Sequence, residues 1–232
     1  SRWGVSRVSD FSEMFYGASS FNQDIGSWDT SSATSFSEMF RAATSFNQNI
    51  GAWNTSRVTT FYYMFAAGSS TSDVTVFNGD IGEWDTSRAT NLAYMFYRAT
   101  SFNQDISSWN VSRVLSFDSM FYGASSFNQD LSVWDTSSVT SMSHMLYEAA
   151  SFKYDIASWE VSSVADFGNM LYGATAFQER FVCSDANEGP PGSCVQLTLL
   201  KPPPSSPPPP LPPPPLFLTS LVADATQPKL YA

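Results

Sequence analysis

Phe127-Asn128-Gln129-Asp130-Leu131-Ser132-Val133-Trp134-Asp135-Thr136-Ser137-Ser138-Val139-Thr140-Ser141-Met142 is one period of a pattern that fills most of this chain. Its tryptophan recurs at Trp3, Trp28, Trp53, Trp84, Trp109, Trp134 and Trp159, with gaps of 25 residues and one of 31. A period of this size marks a solenoid, in which each unit is one turn stacked on the last. A single turn cannot bury its own rings, so the turns must fold as an array.

Counted from each Trp, Met stands at offset 11 in all seven turns, from Met14 to Met170. Offset 8 is mostly Phe, offset 12 Phe or Leu, and offset 15 Ala or Gly. Offsets 8, 11, 12 and 15 share one face of a short α-helix, with Ser137, Ser138 and Thr140 as candidate caps. The stretch Asp24–Asp29 and its equivalents lack that stripe and read as a short strand pairing one turn away. The expected fold is therefore an α/β solenoid of about seven turns, each with one short parallel strand and one short helix. At ~4.8 Å per turn the rod is roughly 30–35 Å long. Trp28, Trp53, Trp84, Trp109, Trp134 and Trp159 belong to its core, and the methionines fill gaps between rings.

The repeat runs over residues 1–181 and opens in mid-pattern with no polar cap, which predicts an N-terminally truncated array that contacts further repeats. Residues 182–200 form a Cys-flanked capping segment, and a Cys183–Cys194 bridge would staple the array's end. Such a bridge favours an extracellular setting. Residues 201–232 read as a proline-rich, disordered tail, with polyproline II over Pro202–Pro215 acting as a stalk or linker. Pro209–Pro212 also resembles the ligands of cytosolic proline-reading domains. The net charge of −10 and only three lysines argue against nucleic acid, and the longest apolar run is too short to insert in a membrane.

The quoted unit closely resembles the BspA-like leucine-rich-repeat surface proteins, in their 25-residue branch with a lipoprotein-type repeat of unknown function. The resemblance covers residues 1–181. It implies a right-handed, leucine-rich-repeat-like array at a cell surface, with adhesion or the binding of host or matrix proteins as its class of function. It also implies an inter-turn ladder through Asn22, Asn47, Asn78, Asn103 and Asn128, fading where Lys153 and Gln178 replace asparagine.

Catalysis is not expected. The one histidine, His144, occupies a slot that varies between turns, and the abundant Asp and Ser lie in repeated columns. Asp24, Asp80, Asp105, Asp130 and Asp155 form one column, interrupted by Asn49. Asp29, Asp85, Asp135 and Glu160 form another, interrupted by Asn54 and Asn110. Calcium between such rows is weighed against hydrogen-bonded carboxylates. The Asn interruptions and the lack of a Gly-rich nonapeptide favour the latter, so no metal or cofactor is assigned. Asn54-Thr55-Ser56 and Asn110-Val111-Ser112 match the N-glycosylation pattern, which the repeat itself generates.

The candidate binding surface is aromatic. Tyr16, Tyr97, Tyr122, Tyr147 and Tyr172 share offset 13 on the outer side, joined by Tyr62, Tyr63 and Tyr94. Tyrosine offers rigid, amphipathic contact area, although rings that merely stack and shield the edge would give the same pattern. A six-residue insertion falls within Gly68–Val76. The sequence thus predicts an extracellular or cell-surface module that binds a protein or glycan without catalysis. The alternatives are a wall or stalk component with no discrete ligand, or an intracellular scaffold with a recruiting tail.

Overall fold

The computed structural model describes residues 3–70 and 72–197, which fall within one compact unit, Ser1–Lys201. The proline-rich segment, with its expected extended conformation, lies outside the described residues. Successive coils lie against one another one repeat apart. Parallel bridges run Asp10↔Ser35↔Thr60↔Asn91↔Ser116↔Ser141↔Asp166, one residue per coil.

Two local expectations are corrected. The stretch predicted as a helix is a chain of tight turns with alternating hydrogen bonds. Met14, Tyr16 and Ala18 donate their N–H groups three residues back within the coil, whereas Phe11, Glu13, Phe15 and Gly17 donate to Ser35, Ser37, Met39 and Arg41 of the next coil. Spacing forbids the helix. Packed helices need ~8–10 Å between axes, but stacked rings on this side are 4.4 to 4.9 Å apart at Tyr97, Tyr122, Tyr147 and Tyr172. Turns this tight need left-handed residues. Glu13, Glu38, Tyr63, Tyr94, Ser119, His144 and Asn169 all have φ between 52° and 60°. Among the described residues the one α-helix is α1, Thr175–Gln178, in the last coil.

The strand, likewise, is not at Asp24–Asp29. The parallel contact is a single residue per coil, just before the offset-8 Phe. At Asp24–Asp29 the chain instead turns, with Gly26 N–H donating to Asp24 and Trp28 N–H to Ile25. The turn at Gly26 packs so closely on the next coil that a Cβ would collide with the Asn49 carbonyl oxygen.

Columns of rings fill the core. Phe15, Phe40, Phe65, Phe96 and Phe121 stack coil on coil at 5.5 to 5.8 Å. Each also lies 3.7 to 3.9 Å from the next Phe of its own coil. Trp53, Trp84, Trp109, Trp134 and Trp159 are buried, Trp28 is half-buried, and Trp3 is 59% exposed. Each buried indole N–H donates to the Ile or Leu carbonyl of the preceding coil, at 2.9 to 3.2 Å. That bond explains why the column is Trp rather than Phe. In four of the coils a buried threonine, Thr30, Thr55, Thr86 or Thr136, ties the coil to the following one through a backbone carbonyl.

The C-terminal segment closes the stack. Strand β1 (Phe181–Val182) pairs antiparallel with β2 (Val195–Gln196), and the Cys183–Cys194 disulfide joins them. Leu171 N–H, which in earlier coils would reach the next coil, donates to the Asn187 carbonyl instead. Gln178 donates to the carbonyls of Leu171 and Ala186, so its departure from the asparagine column serves the cap.

Candidate functional site: a tyrosine strip along the coils

The tight turns set offset 13 on the outside of each coil, one above another. Tyr97–Tyr122, Tyr122–Tyr147 and Tyr147–Tyr172 stack at 4.8, 4.4 and 4.9 Å, inclined by no more than 27°. Tyr63 and Tyr94 stack at 4.3 Å, Tyr62 meets Tyr63 edge-on, and Tyr94 lies 5.9 Å from Tyr97. Tyr16 stands apart, because Arg41 and Ala66 occupy the slot in the next two coils. Arg41 bridges that gap, with its guanidinium 5.6 Å from the Tyr16 ring and 4.3 Å from Tyr63. It is held by Glu38 at 2.8 Å. All eight tyrosines predicted from sequence thus lie along one strip.

Stacking decides what the strip can offer. Inner rings cover each other's faces and are half-buried, whereas Tyr16 and Tyr172 at the ends are 47% and 44% exposed. Burial, reinforced by neighbouring tyrosines, pushes the phenols of Tyr62, Tyr63 and Tyr122 above their ordinary value. They therefore remain neutral hydroxyls at physiological pH.

Sequence reasoning did not find the basic flank. Arg98 lies 5.5 Å over Tyr97 and 6.0 Å over Tyr122, and donates to the Ser70 carbonyl at 3.0 Å. The insertion is thereby tied to one end of the four-tyrosine stretch. Its other anchors are Thr75 Oγ1, which donates to the Phe65 carbonyl, and Thr75 N–H, which donates to that of Arg98. His144 sits beside the strip, 5.6 Å from the Tyr147 ring, with Nδ1 2.9 Å from Ser143 Oγ.

The acidic columns have an architectural role. Each residue of the first, Asn49 included, accepts the N–H two residues on, at 2.9 to 3.1 Å. The second column, with Asn54 and Asn110, does the same over the same range. Asparagine makes this turn as well as aspartate, which is why it interrupts both columns. Serine hydroxyl and N–H donation lowers the carboxyl pKa of Asp29, Asp85 and Asp135. Among the described residues no group of three or more His, Cys, Asp or Glu side chains is placed to share an ion. Asp24, Asn49, Asp80 and Glu83 line an open depression of about 490 Å³.

The asparagine ladder is present. Asn47, Asn78, Asn103 and Asn128 N–H groups donate to the side-chain oxygen of the preceding Asn at 2.8 to 2.9 Å. It ends at Asn128, whose Oδ1 has no partner among the described residues, and Lys153 takes the next position in the column.

No helix among the described residues is long and apolar enough to cross a membrane. No curated protein and no solved structure matches the chain. A family described as a Mycoplasma protein of unknown function, DUF285, matches residues 1–73 and 68–183, the same stretch that carries the stacked coils and the tyrosine strip. The chain belongs to this DUF285 repeat family.

Proposed function

We propose that this chain is a cell-surface or secreted binding module of the BspA-like kind. In this reading it is a leucine-rich-repeat-like solenoid that presents its tyrosine strip to a macromolecule. The continuous strip of Tyr63, Tyr94, Tyr97, Tyr122, Tyr147 and Tyr172, bordered by Arg98, carries the proposal. Rigid amphipathic rings with adjacent arginine are the groups that dominate protein interfaces. The rings are already held by stacking, so contact costs little side-chain entropy. The Cys183–Cys194 bridge supports an oxidising, extracellular location and weighs against an intracellular scaffold. Catalysis has no part in this reading, because the repeated polar residues are used in turns and inter-coil bonds.

The test is a binding screen against immobilised matrix proteins and glycans, using the intact chain and the triple variant Tyr97→Ser/Tyr122→Ser/Tyr147→Ser. Saturable binding that drops about tenfold or more in a folded triple variant is expected. Binding unchanged in that variant removes the strip from the account. No saturable binding to any array member favours the wall or stalk reading, in which the rings only shield the coil edge.

A further inference from the structure

The geometry points to an extended proline-rich polypeptide, in the polyproline II conformation, as the ligand of the Tyr97–Tyr172 stretch. This inference rests on the strip being a contact surface, and adds the chemistry of the partner.

The argument is one of spacing. Successive ribs of the strip are 4.8, 4.4 and 4.9 Å apart. Two ribs therefore span about 9.2 to 9.3 Å from Tyr97 to Tyr147 or from Tyr122 to Tyr172. Polyproline II rises ~3.1 Å per residue with three residues per turn, so one of its faces repeats every ~9.3 Å. A peptide laid along the strip keeps a proline on every second ring without drift. A β-strand presents one face every ~6.7 Å, which matches neither one rib nor two. An α-helix repeats every ~5.4 Å and slips out of step within a few coils.

The way the rings are covered favours the same ligand class over glycans. Sugars stack on open ring faces, and the faces of Tyr122 and Tyr147 are taken by their neighbours at 4.4 Å. Ring edges and hydroxyls are the contact groups that remain. Polyproline II leaves its carbonyls free of internal hydrogen bonds, and a neutral phenol can donate to them. The Tyr97 end is bounded by Arg98 and the insertion it holds at Ser70, because Ala66 stands in the tyrosine slot of the preceding coil. The chain's own sequence Pro202–Pro215 is a segment of this chemistry, and a synthetic peptide copying it serves as a probe.

The full-length chain is titrated with a fluorescent oligoproline, with the peptide copying Pro202–Pro215, and with two controls of equal length, Gly-Ser and alternating Pro-Gly. Both proline peptides should bind about tenfold or more tightly than either control. Two registers exist, one on Tyr97 and Tyr147 and the other on Tyr122 and Tyr172. Tyr122→Ser alone should therefore lower affinity only about twofold, whereas Tyr122→Ser/Tyr147→Ser breaks both registers and should lower it about tenfold or more. Oligoproline that binds no better than the controls, both to the full-length chain and to a chain whose Pro202–Pro215 is replaced by Gly-Ser so that it cannot occupy the strip itself, overturns the inference. So does a single substitution as damaging as the double. If oligoproline fails while the triple tyrosine variant still loses binding on the protein and glycan arrays, the partner chemistry is wrong and the contact surface stands.

Discussion

Replacing Trp109 by Phe tests the inter-coil role of the indole column. Trp109 is buried, and its Nε1–H donates to the Ile81 carbonyl of the preceding coil at 3.0 Å. The same carbonyl also accepts Trp84 N–H, so the substitution leaves it with one partner. Loss of the hydrogen bond then costs about 1 kcal/mol. The smaller ring removes roughly 40 Å² of buried apolar surface, about 1 kcal/mol. A residual void of roughly 35 Å³ adds about 0.8 kcal/mol. The total is near 3 kcal/mol, equivalent to a fall in Tm of roughly 6–12 °C for a domain of this size. Trp28→Phe is the control, since Trp28 is half-buried next to the first coil and none of the described groups accepts its Nε1–H. Differential scanning calorimetry should show Trp109→Phe losing at least twice as much as Trp28→Phe. Equal losses, or a loss below about 1 kcal/mol at Trp109, would show that the coils are not joined through the indole N–H.

Two further outcomes follow from the polar columns. Asn103→Ala removes the acceptor for Asn128 N–H and one acceptor for Gln129, whereas Asn128→Ala removes an oxygen that has no partner among the described residues. Urea denaturation should give a loss of about 1 kcal/mol for the first and close to none for the second, and reversal of that order would refute the ladder. Asp85 and Asp135 have lowered folded-state pKa values, so their stabilisation is complete above the unfolded value near ~3.9 and is lost as pH falls through the folded one. Tm should therefore drop in acid below about pH 4. Asp85→Asn/Asp135→Asn keeps the turns, as Asn54 and Asn110 already do, and should flatten that drop while leaving Tm at neutral pH nearly unchanged.

What the sequence made legible was whatever repeats. The 25-residue spacing of Trp, with Met and Phe at fixed offsets, identifies the coil and its buried face without further information. The tyrosines at offset 13 read as outward only through helical geometry, and they do lie outside, but a chain of turns rather than a helix sets them there. Turn geometry was the part that misled. Apolar residues at offsets 8, 11, 12 and 15 fit a helix face, but the same residues point inward from a chain of turns when alternate N–H groups pair with the next coil. The available signal was glycine at offset 14 in three coils, Gly17, Gly123 and Gly173, each with φ between 64° and 71°. A left-handed residue there is incompatible with a helix that continues. Arg98 was invisible as a flank of the strip, because it reaches Ser70 across a sequence separation of 28 residues that only the insertion explains.

The stacking of coils by turns rather than by helices is tested most directly by the distance between Ser19 and Thr175, exposed equivalents in the first and last coils. Spin labels on Ser19→Cys/Thr175→Cys, read by pulsed electron paramagnetic resonance, report six coil steps. At one parallel β-spacing of ~4.8 Å each, the separation centres near 29 Å. A separation of roughly 50 Å or more, as six steps of packed helices at ~8–10 Å would require, would contradict the account.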